Sequence, residues 1–328
     1  MRFRQVGPSL VAHAPAKLNL FLEILGKRDD GYHELETLMV TVNLLDTLIF
    51  TEEHSTDIRL RCSGRGVRTE GLAPTRVDLS SSAPSNSEPS NLGLPNSEQP
   101  ESVVPAGADN LVVKAAQLLR EYAGVEAGVH ITLVKRIPAA AGLAGGSSDA
   151  AATLMALNRF WKLKLDKTEL QRLASQLGSD VAFFVDGTSA AVCHGRGEII
   201  EPLWVPMGLH FVIARPWTGL STALVFKHCQ VPQRKHGVDN VVHALQTGRK
   251  ERLGRFLHNA LEEPAVELNP EVKELKSRFS GLPVLGSLMS GSGTACFGLC
   301  RSRRQALSLA GRLRAARVGH VWVAETRP

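Results

Sequence analysis

The chain has 328 residues, is 43% hydrophobic and 21% charged, and carries a formal net charge of +6; this is the composition of a globular protein long enough for two domains. Its five cysteines (Cys62, Cys193, Cys229, Cys296 and Cys300) are scattered, with no C-x-x-C, so neither a disulfide framework nor a zinc motif is indicated. The stretch MRFRQVGPSLVAHAP has no apolar core of signal-peptide length, and no apolar run of about 18 residues occurs anywhere, so a cytoplasmic protein with no membrane partner is expected.

Residues 14–50, APAKLNLFLEILGKRDDGYHELETLMVTVNLLDTLIF, read as two or three strands around a polar loop. Leu18, Leu20 and Leu22 share one face, and Leu38, Val40 and Val42 another. Lys17 falls on the opposite face from Leu18, a position where most lysines are simply exposed. The loop 26–34 brings Lys27, Arg28, Asp29 and Asp30 before Gly31. It then offers Tyr32 and His33, a pair able to stack on a base and hydrogen-bond to it. From 64 to 107 Ser, Pro, Asn and Gly dominate and aromatics are missing, which predicts a flexible insertion. DNLVVKAAQLLREY then predicts a helix with Leu111, Ala115, Leu118 and Leu119 on its apolar face.

The stretch 129–161, VHITLVKRIPAAAGLAGGSSDAAATLMALNRFW, reads as strand, loop and helix. Pro138 ends the strand, because it has no N–H for the ladder. The following loop holds almost nothing larger than a methyl group apart from Leu143, so its glycines can bring backbone N–H groups close to a ligand. Ser147 and Ser148 are expected as N-cap residues, with Asp149 in the first turn. A helix N-terminus facing such a loop can bind phosphate; a tight packing turn has the same composition. No Lys follows the last glycine and no G-x-G-x-x-G can be placed, so the two commonest nucleotide loops are excluded.

Residues 166–177 predict a helix, with Asp166 or Thr168 as N-cap and Gly178 at its end. Val181 to Val185 then reads as an apolar strand, which leaves Asp180 at the junction, where an Asp often only stabilises a turn. Beyond Pro202 come strand-like LHFVIARP, then WTGLSTALVF, a basic stretch from Lys227 to Lys235 and a helical pattern over 240–261. VLGSLMSGSGTACFGLC reads as two strands about a Ser-Gly-Ser-Gly-Thr turn. Arg301, Arg303, Arg304, Arg312, Arg314 and Arg317 interleave with Ala306, Leu309, Ala310 and Leu313 at helical spacing, a solvated helix face. Interleaved aromatics are missing from it, so no nucleic-acid partner is expected. A last strand, HVWVAE, completes an α+β half.

Three separated motifs, APAKLNLFLEILGKRDDGYHEL, PAAAGLAGGSSDAAATLMALN with GSDVAFFV beyond it, and LMSGSGTACFGL, resemble the GHMP small-molecule kinases. The AKLNLFL and GYHEL stretches are similar to the branch that phosphorylates the 2-hydroxyl of 4-diphosphocytidyl-2-C-methyl-D-erythritol in the non-mevalonate isoprenoid route. The resemblance implies a two-domain α+β fold, with an ATP-binding and catalytic domain over 1–203, including the insertion, and a second domain over 204–328. It implies ATP as co-substrate, Mg²⁺, a cytidyl-diphosphate small molecule as partner, and a monomer or homodimer.

Carried over by motif, Lys17 and Asp180 match the catalytic pair. Pro138, Ala139, Ala140, Ala141, Gly142, Leu143, Ala144, Gly145, Gly146, Ser147 and Ser148 match the triphosphate loop. Asn19, Tyr32, His33, Thr222, Phe226, Gly291 and Gly293 match the substrate pocket, with Tyr32 and Phe226 as stacking walls for cytosine. No protein ligand for a metal is assigned. Ala144 departs from the pattern, since many relatives have glycine there, and the Ser/Pro-rich insertion is foreign to it. A nucleotide-binding or RNA-associated protein without catalysis is the alternative of another class, but it would have no use for a hydroxyl-activating pair. A sibling kinase with another acceptor is the nearer alternative.

Overall fold

Two long paired strands organise the first half of the chain, in a computed structural model that describes residues 1–64, 107–206 and 208–326. β1 (Arg2–Val6) turns at Gly7 into β2 (Ser9–Lys27), which runs antiparallel to β3 (His33–Thr51). The register shifts between Pro15 and Ala16, Asn19 and Phe21, and Ile24 and Gly26. Each such bulge turns the following side chains to the other face. From Ala16 to Leu22 every residue is buried, and this includes Lys17, 4% exposed.

β4 (Ile58–Gly64) runs parallel to β5 (Val129–Lys135), giving the order β1-β2-β3-β5-β4. β6 (Ala190–His194) pairs with the other half of β3 and with β7 (Ile199–Leu203). Four helices cover this sheet: α1 (Leu111–Ala123), α2 (Gly145–Phe160), α3 (Lys167–Leu177) and α4 (Ser179–Asp186). Asn110 caps α1, and Asp166 with Glu169 forms a capping box on α3. Val112, Leu119, Leu154 and Phe183 pack with Leu48, Phe50 and Ile131 of the sheet, each buried side chain contributing roughly 1.5–3 kcal/mol.

The expected strand at Val181–Val185 is the helix α4. All five residues are buried, and a short run buried all round carries no period to separate helix from strand. The insertion expected at 64–107 lies, apart from its two end residues, outside the described residues.

In the second half, β8 (His210–Arg215) is a middle strand of a four-stranded sheet. α5 (Thr222–His228), α6 (Asp239–Gln246) and α7 (Lys250–Arg255) follow, so the expected helix over 240–261 is two shorter ones. Gly248, at φ 72, divides them. β9 (His258–Asn259) returns to pair in parallel with β2 of the first sheet. α8 (Glu262–Leu268) and α9 (Pro270–Ser280) come next, the latter signalled by Asn269 at its N-cap and Pro270 at its first turn.

β10 (Gly286–Met289) and β11 (Cys296–Cys300) flank the Ser-Gly-Ser-Gly-Thr turn as expected. α10 (Arg303–Ala315) leads to β12 (His320–Glu325), which closes the order β10-β11-β8-β12. Ala306, Leu309, Ala310 and Leu313 are buried while the arginines named above are exposed. All five cysteines are free thiols. Among the described residues no helix is long and apolar enough to cross a membrane.

Candidate active site

One cleft of about 1100 Å³ is lined by residues from both halves of the chain. Its floor is β2. The bulges that bury Lys17 also aim it inward: Lys17 Nζ lies 2.5 Å from Asn19 Oδ1 and 3.7 Å from Asp180 Oδ2. Asn19 Nδ2 donates to Thr37 Oγ1 at 2.8 Å, and Thr37 Oγ1 donates to the Phe21 carbonyl at 2.6 Å. This chain of bonds holds the amide oxygen of Asn19 toward the ammonium. Asp180 sits in the first turn of α4 with its side chain 34% exposed, which leaves its carboxylate open to a ligand.

The small-residue loop forms the next wall. Gly142 has φ +71, and a Cβ there would lie 1.9 Å from the Ser290 carbonyl, so only glycine fits. The loop is tied on both sides: Lys17 N–H donates to the Leu143 carbonyl at 3.1 Å, and Ala295 N–H to the Ala141 carbonyl at 3.1 Å. Ser290 Oγ donates to the Gly142 carbonyl at 2.9 Å. Ala140 and Ala144 both take positive φ, 48 and 54.

Ala144, rather than Ser147 or Ser148, is the N-cap of α2, and no side chain caps this terminus. The serines were expected there because their hydroxyls suit a cap; the left-handed turn at Ala144 instead starts the helix at Gly145. Gly145, Gly146 and Ser147 then face the cleft, and uncapped first-turn N–H groups at the positive end of a helix form an anion site.

Beside the loop, Lys135 and Asp149 also line the cleft: Lys135 Nζ contacts Asp46 Oδ2 and lies 2.7 Å from Asp149 Oδ2, all three residues being buried. Burial pushes the Asp149 carboxyl up to about 8, against the attraction of Lys135. This cluster escaped sequence reading, since nothing local links residues 89 apart.

The far end of the cleft is aromatic and basic. Arg28 bridges Asp30 and Glu34, and Tyr32 N–H donates to Asp30 Oδ1 at 3.1 Å, which closes the tip between β2 and β3. Tyr32 is 56% exposed, with the Arg196 guanidinium carbon 4.9 Å from its ring centroid. The ring facing Phe226 belongs to His33, at 5.4 Å and 35°, and not to Tyr32, the counterpart expected from the sequence. Burial, then the nearby Lys27, lowers the pKa of His33. Thr222 Oγ1 and Ser292 Oγ, 2.9 Å apart, join α5 to the turn between β10 and β11.

The cleft thus gathers Lys17, Asn19, Tyr32, His33, Asp180, Thr222, Phe226 and Gly291, together with Pro138, Ala139, Ala140, Ala141, Gly142, Ala144, Gly145, Gly146 and Ser147. Leu143, Ser148 and Gly293 are not among the lining residues. Leu143 is a core side chain that offers only its carbonyl. Gly293 shapes the turn, where a Cβ would lie 2.7 Å from Met289 Sδ. Sequence reading missed Thr37, Ser290, Ser292 and Arg196; the glycines beside Ser290 and Ser292 had marked their turn.

Residues 110–188 match the family model for the GHMP kinases N terminal domain, and residues 241–318 that for GHMP kinases C terminal. A 4-diphosphocytidyl-2-C-methyl-D-erythritol kinase of Shouchella clausii is 39% identical over 87% of this chain and 84% of its own length. One of Pelotomaculum thermopropionicum is 38% identical over 93% and 94%. Among solved structures, a 4-(cytidine 5'-diphospho)-2C-methyl-D-erythritol kinase superposes with a TM-score of 0.73 at 34% identity, over 97% of this chain and 100% of that one. A homoserine kinase of Cytophaga hutchinsonii, TM-score 0.65 at 18% identity over 100% of this chain and 97% of its own, shares the fold. With the cleft geometry and this likeness along most of its length, the chain belongs to the 4-diphosphocytidyl-2-C-methyl-D-erythritol kinases, a family of GHMP kinases.

Proposed function

We propose that this chain transfers the γ-phosphoryl group of ATP to the 2-hydroxyl of 4-diphosphocytidyl-2-C-methyl-D-erythritol, in the non-mevalonate route to isoprenoid precursors. The observation that carries the reading is the Lys17–Asp180 pair at 3.7 Å, set between an uncapped helix N-terminus and an aromatic slot in one cleft.

The triphosphate lies along Pro138–Ser147, and the amides of Gly145, Gly146 and Ser147 meet the charge that grows on the transferring group. The acceptor hydroxyl sits against Asp180, which orients it and takes its proton. Lys17 pairs with that carboxylate at 3.7 Å and offsets charge at the nucleophile. Asn19 holds the ammonium in place. Tyr32 on one side and the His33–Phe226 pair on the other form the cytosine slot, while Lys27 and Arg196 on the cleft wall suit the diphosphate. Leu143, Ser148 and Gly293 support the loop and the turn from behind.

Mg²⁺ fits this site. Asp149 lines the cleft and its Oδ1 is buried with no hydrogen-bond partner; beside the Ser147 hydroxyl it would offer the oxygen donors a hard cation takes. The ion supplies charge neutralisation on the phosphate oxygens. We place the catalytic domain over 1–203 and the second over 204–328. The five free thiols fit a reducing cytoplasm.

An ATP-turnover screen against the cytidyl-diphosphate alcohol, mevalonate and homoserine tests the assignment. Turnover with the first alone is expected; preferred turnover of mevalonate or homoserine would overturn it.

A further inference from the structure

Glu23, His236 and His258 meet on the side of β2 away from the cleft. Leu22 lines the cleft, and Glu23, the next residue of the strand, points the other way. Phe21 shares that face, its ring 5.4 Å from that of His258. One ligand atom from each of the three residues lies within 4.8 Å of the other two. The imidazole centroids of His236 and His258 are 4.2 Å apart.

Two observations point to more than an ion pair. Glu23 is wholly buried, held by the Ile24 N–H on Oε1 at 2.9 Å and the His236 N–H on Oε2 at 2.8 Å, so its carboxylate is fixed while each oxygen keeps a lone pair. His258 Nε2, a buried atom, lies 3.2 Å from Glu23 Oε2 without the alignment of a good hydrogen bond. The pair is close without being aligned on each other.

We propose that Glu23, His236 and His258 form a binding site for a zinc-class divalent ion, with its fourth position open to water. Two imidazoles and one carboxylate are a donor set zinc takes, at bonds of roughly 2.0–2.2 Å, whereas magnesium and calcium prefer oxygen alone. Bonds of that length set the ligand atoms roughly 3.3–3.5 Å apart in a tetrahedron, a spacing the Glu23–His258 pair already approaches. His236 is exposed, on the segment between α5 and α6, and closes the remaining gap. The ion ties β2, β9 and that segment together. Asn259, beside His258, donates to the Met289 and Gly291 carbonyls, both at 2.8 Å, so the site lies one residue from the link that holds the cleft's turn.

The test uses untagged full-length protein stripped with a chelator and titrated with ZnCl₂ by calorimetry, with thermal melting in parallel. One ion per chain, a raised Tm and no competition from Mg²⁺ are expected. His236→Ala and His258→Gln should each weaken binding by at least about 100-fold, the upper end of what loss of an outer-shell partner alone costs. His236 is exposed, so His236→Ala keeps the fold. Zinc-edge absorption should show two imidazoles in the coordination shell. Absence of stoichiometric binding, or unchanged affinity in His236→Ala, would overturn the site and leave only adventitious binding to other histidines.

Discussion

Asp180→Asn separates catalysis from binding, because it swaps one carboxylate oxygen for an amide and leaves the cleft's shape alone. In the intact protein Lys17 Nζ stands 3.7 Å from Asp180 Oδ2. A pair at that distance attracts by about 4 kcal/mol at an effective dielectric near 20, and by about 1 kcal/mol in water. Since the Asp180 side chain is 34% exposed, the lower end applies, and a stability loss of about 1 kcal/mol is expected. The effect on turnover is larger. Losing a positioned general base lowers kcat by roughly 10²–10⁴-fold, equivalent to about 3–5 kcal/mol of barrier at about 1.4 kcal/mol per tenfold. KM for ATP should hold, because the amides of α2 are untouched. The assay is steady-state kcat and both KM values for wild type, Asp180→Asn, Lys17→Met and the double variant, with Tm measured on each. Residues that act as a unit are non-additive, so the double variant should be little worse than Asp180→Asn alone. A folded Asp180→Asn protein with kcat within a few-fold of wild type would refute the assignment, and so would fully additive losses in the double variant.

Three further outcomes follow from the cleft. Tyr32→Ala removes an exposed ring against which the Arg196 guanidinium packs; KM for the cytidyl substrate should rise by roughly 10- to 100-fold with little change for ATP, and an equal rise for ATP would move Tyr32 to the nucleotide site. His33 has its pKa lowered from 6.5 by burial and then Lys27, so the folded chain takes up this proton less readily than the unfolded one. Stability should fall as pH drops through about 6.5, and KM for the cytidyl substrate should begin to rise only below that pH; a rise that starts above pH 7, or one that survives in His33→Gln, would exclude this group. Ala144→Gly relieves a left-handed residue at φ 54, worth roughly 1–2 kcal/mol, against roughly 0.5–1 kcal/mol of extra chain entropy; differential scanning calorimetry should show Tm higher by about 1–3 °C, and a lower Tm would mean that the alanine methyl contributes packing.

What the sequence by itself determined was local. The Asn110 cap, the Asp166 capping box with Glu169, the strand ending near Pro138 and the turn between Met289 and Cys296 are all written in neighbouring residues, because caps and turns are made from side chains a few positions apart. The small-residue loop also declared itself, and the spaced motifs sufficed to name Lys17 and Asp180 together, which the structure sets 3.7 Å apart, although Lys17 alone looked like an exposed strand lysine.

Tertiary structure decided the rest. The bulges in β2 set which face each residue takes, so Lys17 is buried and aimed inward; no alternation pattern announces a register shift. Burial on every side erased the period that separates α4 from a strand. The Lys135 cluster and the bond from Asn19 N–H to Ser290 Oγ, residues 271 apart, join groups with no sequence relation. Whether Phe226 would meet Tyr32 or His33 depended on how the tip between β2 and β3 folds against α5. Side chains that meet only after the chain has returned from another sheet leave no periodic trace, because their distance is set by packing and not by spacing along the chain.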